Sequence, residues 1–160
     1  MSAKTDGVLA FPRSAFFELA SARGGIGRDN AVAAANAALE LLVPRLTEEA
    51  ARSRSILLKT LARVVEVNRW ESNTLATARE TSDSVRDVGP LCGMVFAARV
   101  AQILSDVLDD VALQKATVRR DDLRRFIGAL SQDEAWVLGA VDTEIHAVME
   151  PLQQIAKRTR

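Results

Sequence analysis

Residues 91–117 read LCGMVFAARVAQILSDVLDDVALQKAT. Met94, Ala97, Val100, Ala101, Leu104, Val107, Leu108 and Val111 recur in this stretch at three- and four-residue spacings, the period of an α-helix with one apolar face. Gly89 and Pro90, just before it, mark a chain break. The spacing predicts a long helix over 91–117, and the segments on either side extend the same pattern into an all-α fold.

Upstream, Asp29 is a good N-cap. From it an apolar stripe of Val32, Ala35, Leu39, Leu42, Leu46, Ala50, Leu57, Leu61, Val64, Val65 and Leu75 runs almost unbroken to about residue 87. Pro44 alone interrupts it, which predicts a kink or a short break, with Thr47, Glu48 and Glu49 suited to a restarted first turn. Residues 30–117 therefore read as a long antiparallel helical hairpin within a helical bundle. At 1.5 Å per residue the first arm would span roughly 60 to 80 Å if straight, more than the rest of one chain can cover. Either the arm folds back near Pro44 or a second copy completes the surface, so a homodimer is expected.

Downstream, residues 122–130 form a third helix presenting Leu123, Phe126, Ile127 and Leu130. Ser131 with Glu134 makes a capping box that opens the last helix. The stripe of that helix is Val137, Leu138, Val141, Ile145, Val148, Leu152 and Ile155, and Pro151 should bend or fray its end. Residues 1–28 read as an N-terminal arm with a short helix over 15–22, closed by Gly24, Gly25 and Gly27. Phe11, Phe16, Phe17 and Leu19 make this arm too apolar for a free tail. The division is an arm over 1–28 and a helical bundle over 29–160.

The totals agree with one packed domain. Of 160 residues 48% are hydrophobic and 26% charged, aromatics are only 4% and tyrosine is absent, a bias toward helix. Lys plus Arg equal Asp plus Glu at 21 each, so no net field draws the chain to nucleic acid or to an anionic membrane. The single cysteine, Cys92, cannot form an internal disulfide. No leader pattern and no apolar run of about 18 residues is present, so no membrane partner and a cytoplasmic location are expected.

Most reactive side chains have plain structural readings. His146 stands without a second ligand or a nucleophile, and Cys92 reads as a small hydrophobe at a helix start. Gly24, Gly25 and Gly27 lack the lysine and the strand of a phosphate-binding loop. Arg119, Arg120, Arg124 and Arg125 are interleaved with Asp121 and Asp122, as on a solvated helix start, and Lys157, Arg158 and Arg160 close the chain. No metal site is expected. Trp70 and Trp136 are packing anchors, or partner contacts if exposed beside a groove.

Asp110 and Gln114 carry the specific chemical reading. Four apart on a helix, they would stand side by side on one face, with Asp106 and Gln102 extending the polar stripe. A glutamine so placed can enter another protein's phosphoryl site and orient a water in line with phosphorus, while the aspartate holds a partner lysine. This D-x-x-x-Q arrangement resembles the catalytic helix of CheZ-type chemotaxis phosphatases. Leu108 before the aspartate, Val111, Ala112 and Lys115 after it, and Trp70-Glu71 in the preceding arm agree with that resemblance. Leu113 stands where a glycine is common in the family.

The resemblance implies catalytic Asp110 and Gln114, and partner contacts at Asp106 and Trp70. It implies a response-regulator receiver domain as partner, a homodimer of hairpins, and no cofactor on this chain, the Mg ion being held by the receiver. Residues 78–89 also resemble a histidine-phosphotransfer helix in spacing and in their closing Val88-Gly89. Arg79, Ser82 and Asp83 replace the histidine, lysine and glycine of that motif, so the stretch cannot carry a phosphoryl group. The alternative function is a non-catalytic adaptor, scaffold or secretion-type chaperone that works through helix–helix contacts.

Overall fold

A computed structural model describes residues 28–132, 139–140 and 142–159. Among them every regular element is helical: α1 (Arg28–Val67), α2 (Ser72–Val88), a 3-10 turn (Gly89–Cys92), α3 (Val95–Ala112), α4 (Arg120–Leu130) and α5 (Asp142–Thr159). The expected short helix over 15–22, the glycines after it, Trp136, and Glu134, Val137, Leu138 and Val141 lie outside the described residues. No helix among the described residues is long and apolar enough to cross a membrane.

The chain divides into two compact units, Met1–Leu41 and Leu42–Arg160. In the first, the described residues are helical, and Val32, Leu39 and Leu41 are exposed. In the second, α3 is the central element, because its apolar period puts Phe96, Ala97, Val100, Ala101, Leu104, Val107 and Leu108 on one buried face. Leu57 and Leu61 of α1, Ala78 of α2, Leu123, Phe126 and Leu130 of α4, and Leu152 and Ile155 of α5 join Phe96, Val100, Leu104, Val107 and Leu108 in the main core, while Ala97 and Ala101 pack with Ala50, Val85 and Met94 in a second cluster. A fully buried leucine of this kind contributes about 1.5–3 kcal/mol.

The most extensive packing is between α2 and α3. Small residues permit the close approach: Ser82 Oγ donates to the Ala101 carbonyl at 3.0 Å and Ser105 Oγ donates to Ser82 Oγ at 3.0 Å, so both buried hydroxyls are satisfied. Gly89 fits closely between the two helices: a Cβ there would lie 3.1 Å from both Ala98 Cβ and the Met94 carbonyl, so these neighbours would have to give by a few tenths of an ångström.

Three expectations about the elements need correction. First, the arm over 29–87 is two helices. Asn68 adopts φ 56° after its amide bonds the Val64 carbonyl at 2.8 Å, and the Glu71 amide donates to Thr74 Oγ1 at 3.0 Å as α2 begins. Second, of the kink or short break expected at Pro44 the break does not occur: the proline lies inside α1. It is exposed, so water can solvate the carbonyl that loses its donor. α5 likewise continues past Pro151 to Thr159.

Third, the helix expected over 91–117 begins at Val95, after a 3-10 turn closed by Gly93 at φ 79°, and ends at Ala112. Ser131 caps the end of α4, and its hydroxyl donates to the Ile127 carbonyl at 2.7 Å; the capping box expected with Glu134 lies outside the described residues. The apolar stripe of the first arm is also divided. Leu57, Leu61 and Val64 belong to the core formed by this chain's own helices, whereas Val32 and Leu39 are exposed.

Candidate functional site

The polar side of α3 carries the residues singled out by sequence. Gln102, Asp106 and Asp110 follow one another a turn apart on this helix. Gln102 Nε2 donates to Asp106 Oδ1 at 3.3 Å, and Asp106 and Asp110 are both half-buried.

Gln114 does not continue the row. α3 ends at Ala112, Leu113 is the cap, and Gln114 adopts φ 57°. The Gln114 amide donates to the Val111 carbonyl at 3.0 Å and the Lys115 amide donates to the Asp110 carbonyl at 2.9 Å. These two bonds close the helix as a Schellman turn with glutamine at the position glycine usually takes. The expected side-by-side placement of Asp110 and Gln114 on one helical face is therefore corrected. Asp110 stands on the last turn of α3, and the exposed Gln114 belongs to the turn that terminates it.

Trp70 lies in the connection between α1 and α2, half-buried and packed against the main core, with Glu71 beside it as the cap of α2. An indole in that place anchors the connection.

Asp109, which the sequence reading passed over, makes the cross-helix contact. Its carboxylate accepts from Arg79 Nε at 2.9 Å, with Arg79 Nη2 at 2.6 Å. Arg79 is the residue standing at the phosphoacceptor position of the phosphotransfer-like stretch, and here it ties α2 to α3. At the far end of α2, Arg86 bridges Asp83 at 2.7 Å and Asp87 at 2.7 Å. The hydrogen bond between Arg86 and Asp87 holds the Asp87 carboxyl below its ordinary range and the guanidinium above its own.

The remaining candidates are dispersed. His146 is exposed, with Nδ1 3.9 Å from Glu150 Oε2, and it lines an open groove with Gln102, Ile103, Ile145 and Met149. Cys92 is half-buried in the 3-10 turn, against the cluster of Val85, Met94 and Ala97. Arg124 pairs with Asp121, while Asp122 turns inward and receives Arg158 at 3.1 Å. No group of three or more His, Cys, Asp or Glu placed to hold a metal occurs among the described residues.

No protein-family model matches the chain, and no curated protein or solved structure matches it significantly.

Proposed function

We propose that this chain is a helical signalling regulator that binds a response-regulator receiver domain and promotes loss of its phosphoryl group, as the resemblance to CheZ-type phosphatases implies. One observation supports the reading best: Gln114 is exposed and held at a positive φ by two backbone hydrogen bonds, immediately beyond Asp110. A residue on such a turn lies just past the helix end, where an exposed side chain can reach a partner's site without unwinding the helix.

In the proposed reaction a water attacks phosphorus of the receiver's aspartyl phosphate. The bond between phosphorus and the carboxylate oxygen breaks, and the receiver carboxylate and dihydrogen phosphate are released. Gln114 orients the water, and Asp110 pairs with a receiver lysine. The Mg ion held by the receiver supplies charge neutralisation. Asp106 and Trp70 would lie at the margin of the contact. The same proposal includes a long antiparallel hairpin paired with a second copy, and a cytoplasmic location.

The rival reading, a non-catalytic adaptor, scaffold or secretion-type chaperone, draws on the exposed Val32, Leu39 and Leu41 of the first unit. Phosphate release from phosphorylated receivers separates the two. Gln114→Ala should leave the circular dichroism spectrum unchanged and slow dephosphorylation by orders of magnitude, since a lost water-positioning group can cost several kcal/mol. Asp110→Ala should weaken docking as well as rate. Receivers that keep their phosphate equally long with and without the wild-type protein would leave only the adaptor.

A further inference from the structure

Outside the α3 terminus, one polar pocket of this chain is lined by cations and hydroxyls without any carboxylate. Lys59, Thr60 and Arg63 of α1 and Asn73, Thr74 and Thr77 of α2 enclose an open space of about 300 Å³. Lys59 and Arg63 stand one turn apart on α1, where like charges repel. Among the described residues neither forms an ion pair, whereas Arg79, Arg86, Arg124 and Arg158 each hold an aspartate.

Two of the three hydroxyls are equally uncommitted, whereas Thr74 Oγ1 donates to the Glu71 carbonyl at 2.8 Å. Several hydroxyls elsewhere in this chain bond back to the preceding turn: Thr47 to Val43, Thr81 to Thr77, Ser131 to Ile127 and Thr159 to Ile155. The hydroxyls of Thr60 and Thr77, both half-buried in the pocket wall, make no hydrogen bond among the described residues. Asn73 spends its carbonyl oxygen on the Thr74 amide at 2.7 Å, which leaves its NH₂ group as a donor.

Two positive charges, two free hydroxyls and an amide donor lining one space match a tetrahedral dianion. We propose that this pocket binds a phosphate group, as inorganic phosphate or as the end of a small phosphomonoester. Lys59 and Arg63 neutralise its charge, and Thr60, Asn73 and Thr77 donate to its oxygens. The site is separate from Asp110 and Gln114 and stands whether or not the receiver reading holds.

The test is a titration of the full chain followed by amide NMR, at constant ionic strength, with inorganic phosphate, with glycerol 3-phosphate and with chloride. Both phosphates should shift the amides around Lys59, Arg63 and Thr77 saturably, and the one that saturates at lower concentration identifies the source. Lys59→Gln with Arg63→Gln should weaken binding at least tenfold while thermal unfolding stays unchanged or rises slightly. Thr77→Val, which keeps both charges, should weaken it several-fold. Shifts that fail to saturate, that chloride reproduces, or that survive in the doubly substituted protein would overturn the site.

Discussion

Helices α1 and α3 both end through a residue of positive φ, Asn68 at 56° and Gln114 at 57°. The backbone angle is the same and the residue type is not. Asparagine is one of the few residues enriched in the left-handed region, because its short amide bonds the nearby backbone. Glutamine has one more methylene, no such local bond, and the full clash of its Cβ with the following carbonyl, which costs about 1–2 kcal/mol. Asn68 is thus a chain-reversal signal that suits its place, while Gln114 holds strain that the Schellman bonds to Val111 and Asp110 must offset. Backbone strain gathers at functional sites, so the contrast singles out the α3 end as the place to look for work done on a partner.

A third helix end shows what happens without a left-handed residue, and it gives the largest expected effect. α4 stops at Ser131, still near helical angles, and Arg54 of α1 satisfies the exposed carbonyls instead. Its Nε donates to the Leu130 carbonyl at 2.6 Å and its Nη2 to the Gln132 carbonyl at 2.5 Å. Arg54→Met keeps the aliphatic stem and removes both charge-assisted bonds, so urea denaturation should show a loss of about 1.5–3 kcal/mol. Arg54→Lys should recover little of it, because an ammonium cannot span both carbonyls as the planar fork does. A loss below about 0.5 kcal/mol would mean that water caps this helix as well as arginine does.

These three ends also explain which parts of the fold the sequence could reveal. The buried face of α3, the Gly89-Pro90 break and α4 were legible because burial enforces the apolar period. The break at Asn68 was hidden: Val64 and Leu75 lie about three helical turns apart, so the stripe stays in phase across it. Asn68 itself was the available signal, a left-handed stop residue just past a periodic run. Nothing comparable marked the end of α3, since glutamine, lysine and alanine are all good helix formers. The pattern therefore read on to residue 117, and Gln114 was placed on a helical face it does not share. Arg54 could not have been found, because its partners come from a helix far along the chain. Lys59, Arg63 and Thr77 escaped notice for the same reason, each unremarkable until α1 and α2 are side by side.

The strain at Gln114 can be released directly. Gln114→Gly removes the Cβ clash but gives the unfolded chain more freedom, worth about 0.4–1 kcal/mol against folding. The net should be a gain of roughly 0.5–1 kcal/mol, visible as a higher midpoint in urea or a rise of a few degrees in Tm. If Gln114 orients a water for a receiver, the same variant should be more stable and inactive, a combination seen where function is held in strain. A Gln114→Gly protein less stable than wild type would show that the side chain stabilises the turn.

The smallest expected change is at the matched position of α1, where the comparison is sharpest. Asn68→Gly exchanges one residue suited to φ 56° for another: the glycine adds unfolded-state entropy but removes what strain remains. These terms nearly cancel, so stability should change by only a few tenths of a kcal/mol. Asn68→Ala keeps the Cβ without the amide and should cost about 1 kcal/mol. The two substitutions thus differ in a defined order, glycine nearly neutral and alanine destabilising, whereas at Gln114 glycine should be favourable. Should Asn68→Gly stabilise the protein as much as Gln114→Gly, the residue type would not matter to the cost of this angle. The strain assigned to the α3 terminus would then belong to every left-handed cap in the chain, and would no longer distinguish the candidate site.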